Sequence, residues 1–248
     1  MKKALLVSIL LITLIFNLSA QKKVPDYMIE ALKSYHPRTG TFYTMDEANR
    51  KPSSVIVLNL SQRGLKKVPD GVRNFKNLEV LDLGYNELAE LPPWICEFKK
   101  IKKLGIANNK FIKLPDFIFN INTLESLNFS ANQIETFEII GNKKQQLKEL
   151  NLSFNKLTDL PASFSFLLNL QILTLTGNYM RSIPKVVGEM KNLKKIDLCN
   201  NRIEDFDDAV ANAKKLEVLM VDFNPIDDVK VKELRILLPK CNVYTGKQ

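Results

Sequence analysis

The sequence predicts an α/β fold: a curved, horseshoe-like solenoid with a parallel sheet on its concave side, a short-helical or irregular convex side, and helical caps. Three observations carry that prediction. One apolar pattern returns every 23 residues along most of the chain without insertion or deletion, and a fixed period of that order marks stacked architectures. Within each copy the apolar residues alternate with a period of two, the signature of a short strand with one buried face. The rest of each copy spaces its apolar residues more widely, and Pro69, Pro92, Pro115, Pro161 and Pro184 mark where the convex segment begins.

Residues 1–20 stand apart from the remainder. Met1, Lys2 and Lys3 make a basic start, Ala4 to Phe16 an apolar run, and Ser19 and Ala20 a small-residue exit. This reads as a secretory signal peptide cut after Ala20. The run falls short of the ~20 apolar residues that a membrane-crossing helix needs. No cysteine follows it, so a bacterial lipoprotein is not indicated. The expected product is exported to the periplasm or beyond, with no transmembrane segment in the mature chain. Residues 21–54 form an N-terminal cap, with one helix expected over Asp26 to Ser34. A second is expected through about Arg50, where Thr44 and Glu47 have capping-box spacing.

The repeat occupies residues 55–226 as units with the form LxxLxLxxNxL, the last running into the following cap. The best copy is Leu147, Leu150, Leu152, Asn155 and Leu157. Eight units keep the 23-residue interval, the first beginning at Val55 with Arg63 in the asparagine slot. The other seven carry Asn86, Asn109, Asn132, Asn155, Asn178, Asn201 and Asn224 there. An amide has both a donor and an acceptor for backbone groups where a strand turns away. In the unit that begins at Leu124, Phe137 is not followed by proline, and Gly141 to Gln146 replace much of the apolar pattern. A looser convex loop is expected there. Residues 227–248 form the C-terminal cap, with an amphipathic helix from Val229 to Leu238, a stop at Pro239 and a last strand from Cys241 to Tyr244.

These residues resemble the leucine-rich-repeat family in its 23-residue bacterial form, with a Leu-Pro step after the asparagine segment. The resemblance implies the horseshoe described above and a structural ladder of asparagines between neighbouring turns. It also implies a binding role.

The chemistry-bearing residues point the same way. His36 is the only histidine, and no phosphate loop or spaced metal ligands occur. No enzymatic activity, cofactor or metal is expected. Cys96, Cys199 and Cys241 are odd in number and far apart, which signals neither a disulfide framework nor a zinc site. The formal charge of +9 becomes +7 without the first twenty residues. That sign favours anionic surfaces in general, but no nucleic acid is specifically expected.

The concave face is the expected interaction surface of a protein-binding monomer, with a glycan as the alternative ligand. Its middle column reads Asn59, Asp82, Gly105, Asn128, Asn151, Thr174, Asp197 and Met220, mostly small and polar. Eight strands ~4.8 Å apart offer a face of roughly 35 Å. Tyr85, Phe154 and Phe223, each just before a ladder asparagine, are candidate aromatic anchors, with Tyr179 nearby. The candidate contact set is therefore Asp82, Tyr85, Asn128, Asn151, Phe154, Thr174, Asp197 and Phe223. Lys76, Lys99, Lys191 and Lys214 share one repeat position at the strand entrance, and Lys102, Lys103, Lys194 and Lys195 follow on the strands. Two basic patches are expected there.

Overall fold

The computed structural model describes residues 39–139 and 145–246. The signal peptide, the helix expected over Asp26 to Ser34, His36, and Gly141 to Lys144 lie outside the described residues.

Ten strands form one parallel sheet. They are β1 (Thr41–Phe42), β2 (Val57–Asn59), β3 (Val80–Asp82), β4 (Lys103–Gly105), β5 (Ser126–Asn128), β6 (Glu149–Asn151), β7 (Ile172–Thr174), β9 (Lys195–Asp197), β11 (Val218–Met220) and β12 (Asn242–Tyr244). From β2 to β11 each pairs with its neighbour in a register of 23 residues, so one repeat position becomes one straight column across the sheet. Eight of the ten come from the repeat units, β12 is the last strand expected from the C-terminal cap, and β1 is one that the sequence did not announce. β1 pairs with β2, and β12 pairs with β11 at a register of 24. Two further strands, β8 (Ser182–Ile183) and β10 (Asp205–Phe206), make a small convex pair that the repeat pattern did not announce.

The core follows from the alternation. Leu81, Leu104, Leu127, Leu150, Leu173, Ile196 and Leu219 point inward from the strand centres and are almost fully buried. Phe111 and Phe129, in the leucine slots of adjoining units, meet edge to face at 5.2 Å. On the convex side the five prolines each sit at the N-cap of a short 3-10 helix, as Pro69 does before Asp70–Asn74. In the unit that begins at Leu193, which also lacks the proline, Asp207 takes the place, its carboxylate accepting from the Ala209 N–H at 2.8 Å. Between Leu124 and Leu147 the described convex residues form no 3-10 helix, although Phe137, Ile139 and Gln145 are buried.

The caps close the stack through helix α1 (Met45–Arg50) and helix α2 (Asp228–Leu237). Thr44 caps α1 by accepting from the Glu47 N–H at 3.2 Å, and Asp227 caps α2 by accepting from Lys230 at 2.7 Å. Val231 and Leu234 turn the apolar side of α2 onto the last unit.

Candidate binding surface

Three sets of side chains share the edge of the sheet where the strands end. The first is the asparagine row. Each Oδ1 accepts the N–H of a residue 21 positions earlier, and each Nδ2 donates to a carbonyl 26 positions earlier. At Asn155 these are Ile134 N–H at 3.0 Å and Phe129 O at 3.0 Å, with further donation to Leu152 O at 3.0 Å and Ser153 O at 3.2 Å. Each amide therefore ties its own turn to the preceding one, with its N–H donors engaged by backbone carbonyls. Arg63 stands in the row without an amide, and its guanidinium donates to Tyr43 O at 2.9 Å, holding the segment next to β1.

The second set immediately precedes those asparagines. Gln62, Tyr85, Asn108, Ala131, Phe154, Gly177, Asn200 and Phe223 all have φ between +53° and +70°. The repeat needs a left-handed residue there to turn the strand away. Asn and Gly adopt that conformation readily, whereas bulky aromatic residues do so at a cost. The aromatics nevertheless recur at every third turn. Their rings stand out from the surface: Tyr85 is 43% exposed, Phe154 57% and Phe223 78%. Phe154 leans over the next turn, where a methyl group at Gly177 would lie 2.5 Å from its Cδ1. Tyr179 is exposed too and faces the Arg202 guanidinium at 4.7 Å.

The third set is the polar middle column of the concave face, whose side chains are partly engaged. The Oδ1 atoms of Asn59, Asp82, Asn128, Asn151 and Asp197 accept from the backbone N–H two residues later, at 2.9–3.0 Å. A carboxylate or amide thus closes a small turn at the strand end. That local role was not apparent when the column was read as an open strip. Asn128 and Asn151 are half-buried and lie in register with Thr174 on the neighbouring strand, with no recorded protein acceptor for either amide nitrogen among the described residues. Asp82 sits between Gly84 and Gly105, where added methyl groups would approach its Oδ1 to 3.1 and 3.0 Å. Burial pushes its carboxyl above the ordinary range, and the hydrogen bond from Gly84 opposes the rise. Cys199, buried between Asp197 and Asp222, donates weakly to Asp222 Oδ2 at 3.4 Å. Burial and its aspartate neighbours push that thiol to about 12, so it is a packing residue rather than a nucleophile. Burial likewise raises Cys96 and takes Cys241 to about 11.

The expected basic patches are smaller on the strands than the sequence suggested. Lys102 pairs with Glu79 at 3.0 Å, Lys148 with Glu125 at 2.8 Å and Lys194 with Glu217 at 4.0 Å, each partner belonging to a neighbouring turn. The column alternates in sign, and this was hidden while lysines were counted alone. Among the described residues no group of His, Cys, Asp and Glu is arranged to hold a metal ion. None of the described helices is long and apolar enough to cross a membrane.

Family profiles described as leucine-rich repeat match residues 168–226 and 77–98, and one described as two copies of the repeat matches residues 145–186. No curated protein matches the sequence. Among solved structures, a leucine-rich-repeat protein of Leptospira interrogans is similar at 30% identity and a TM-score of 0.58. The alignment covers 77% of this chain and 55% of that one, so this chain spans about half of its relative. Internalin C2 of Listeria monocytogenes is similar at 21% identity and a TM-score of 0.64, over 78% of this chain and 80% of that one, a likeness of fold alone. TLR13, solved in complex with ssRNA13, aligns at 25% identity and a TM-score of 0.70, over 82% of this chain and 30% of that one. With the 23-residue register, the asparagine row and these matches in agreement, the chain belongs to the leucine-rich-repeat family.

Proposed function

We propose that this chain is a non-catalytic binding module, exported by a bacterial cell, that holds a protein partner against its concave face as a monomer. One observation carries the reading. Tyr85, Phe154 and Phe223 stand exposed on one lip of the sheet in a conformation the repeat elsewhere gives to Asn108, Gly177 and Asn200. Aromatic residues kept where the backbone disfavours them, and where burial repays little, suit contact with a second molecule. Across ten strands the face spans roughly 43 Å at ~4.8 Å per strand, enough for a standard protein interface. Small side chains beside the lip leave room for close approach. Export rests on residues 1–20, and the bacterial setting on the repeat form together with the Leptospira relative.

TLR13 was solved with a bound RNA. In this chain Asp82, Asp197 and Asp222 face the concave side, and carboxylates there oppose a phosphate backbone. A glycan is the second reading, favoured by the amide nitrogens of Asn128 and Asn151 close to an aromatic lip.

Crosslinking capture from the native organism tests the proposal. The triple variant Tyr85→Ser, Phe154→Ser, Phe223→Ser, and separately Thr174→Arg, should each lower capture at least tenfold while melting like the parent. Unchanged capture by both folded variants would remove the concave lip from the interface. Selective retention on a glycan array, with no protein captured, would support the second reading.

A further inference from the structure

The flank where the convex segments run into the strands gathers six lysines that have no carboxylate partner among the described residues. Elsewhere several lysines have carboxylate partners one turn away, as in Lys102 with Glu79, Lys110 with Glu87 and Lys156 with Glu135, and those without one, such as Lys66, Lys67 and Lys113, lie apart from this flank. Lys76, Lys99 and Lys100 at one end of the entrance flank have no carboxylate partner among the described residues. Neither do Lys191, Lys214 and Lys215 at the other end. Their recorded contacts are with neutral groups. Lys76 donates to Arg73 O at 2.9 Å, Lys100 to Asn77 Oδ1 at 2.7 Å and Lys215 to Asn192 Oδ1 at 2.6 Å. Glu97 on this flank is neutralised by Arg73 at 3.3 Å.

One turn before the second lysine group and three turns after the first, the same flank exposes hydrocarbon. Leu168 occupies the repeat position of Lys76, Lys99, Lys191 and Lys214 and is 42% exposed, and Phe166 beside it is 46% exposed. Their backbone is firmly fixed. Leu168 N–H donates to Phe166 O at 2.8 Å, and Leu168 O accepts from Asn192 at 2.7 Å. Phe164, Leu167 and Leu170 of the same turn are buried, so the turn fills its core and still presents two apolar side chains outward. The constant 23-residue register aligns one repeat position along the stack, which places lysines, apolar residues and lysines in sequence on one side of the solenoid.

We propose that this flank docks on an anionic lipid bilayer, the lysines against the headgroups and Phe166 and Leu168 at the acyl boundary, which leaves the concave face free. Unpaired lysines supply charge complementarity to such a surface, at about a fivefold gain in binding for each one near it. The apolar pair favours a bilayer over a soluble polyanion, because a hydrated polymer offers exposed aliphatic side chains nowhere to be buried. Docking of this kind does not depend on the concave-face reading, and its test needs no protein partner.

Vesicle co-sedimentation of the chain beginning at Gln21 decides it, with phosphatidylcholine vesicles with and without phosphatidylglycerol, and dextran sulfate as the polymeric polyanion. The protein should sediment only with the anionic vesicles and be released by salt. Replacing Lys99, Lys100 and Lys214 together by Glu should lower vesicle binding at least a hundredfold. The same charge change at Lys66, Lys67 and Lys113, on the other side of the repeat, should lower it far less. Phe166→Ser with Leu168→Ser should weaken vesicle binding several-fold and leave dextran sulfate binding unaltered. Should that double variant fold poorly, Leu168→Trp gives an independent reading: its added fluorescence should shift to the blue on anionic vesicles. No sedimentation, equal loss in the two lysine triples, or vesicle binding indifferent to Phe166 and Leu168 would each overturn the proposal. The last outcome would assign the flank to a soluble polyanion.

Discussion

The two flanks of the solenoid are cut from the same 23-residue unit and are chemically opposite. On the strand-exit flank the side chains answer to the backbone: seven asparagines close the turns, and the residue before each is bent into a left-handed conformation. On the strand-entrance flank the backbone asks for little. There the lysines at positions 76, 99, 191 and 214 are free to serve solvent or a ligand. The ladder position, whose side chain the backbone uses, holds asparagine in seven turns, whereas the entrance position drifts between lysine, asparagine, glutamine and leucine. Where a controlled position departs from the residue the backbone prefers, as at Phe154, a ligand is the economical explanation.

The contrast is broken most forcefully at Asn155. Asn155→Ala leaves the buried Ile134 N–H without its acceptor and takes one of two donors from each of Phe129 O, Leu152 O and Ser153 O, and should cost about 2 kcal/mol in chemical denaturation. Lys156→Ala next to it removes one exposed ion pair with Glu135 and should cost less than about 1 kcal/mol. Equal effects would mean that the row is not what joins the turns.

Gly188→Val tests whether the convex side is equally intolerant. A side chain at 188 would run into the Ala209 carbonyl of the next turn, so a loss of about 2 kcal/mol is expected. A parent-like melt would show that the adjoining 3-10 helices can separate.

A subtler probe is Phe154→Asn. Asparagine accepts a positive φ more easily, so the variant should match or exceed the parent in stability, by up to about 1 kcal/mol, while partner capture falls. If stability drops sharply instead, the Phe154 ring earns its place by packing on Gly177, and the functional reading of the aromatic row weakens.

The smallest effect is a pH dependence at Asp82. Its carboxyl is raised in the folded chain by burial, so the fold binds that proton more tightly than the unfolded chain does. This contribution favours the fold fully below the ordinary aspartate range and is lost as pH rises through the raised value. Asp82→Asn keeps the acceptor for Gly84 and removes the titration. The variant should therefore be at least as stable as the parent at neutral pH, with the difference vanishing in acid, as read by thermal melts across pH.

Much of this was legible in the sequence because stacking makes the pattern explicit. Leu150, Leu152 and Asn155 recur at fixed offsets, and fixed offsets become a register. The Thr44 and Glu47 capping box was equally plain, since its spacing is local. β1 was not, because Thr41 and Phe42 have no period of their own and become a strand only by pairing with β2. The left-handed column was visible in hindsight through Asn108, Gly177 and Asn200, but the aromatic residues in the same slot hid it. The engagement of Asn128 and Asn151 escaped notice for a different reason: a hydrogen bond to Ser130 or Ser153 uses only one end of the amide. For the candidate contacts, sequence fixes which column a residue joins, whereas side-chain exposure depends on the neighbouring turn.

The unbroken 23-residue register also makes the molecule a ruler with discrete graduations. Tyr85, Phe154 and Phe223 are separated by equal intervals of three turns, or ~14 Å between neighbours if each turn adds one strand spacing. That distance can change only in whole turns, since a partial insertion would carry every later leucine out of the core. Excising residues 109–131 would join Asn108 to Asn132 in phase and bring Tyr85 one graduation closer to Phe154, with the row of amides still continuous. Adjustment of reach and preservation of the fold are thus separable in this chain, and a lineage could retune its ligand by copying or losing a turn without redesigning any one of them.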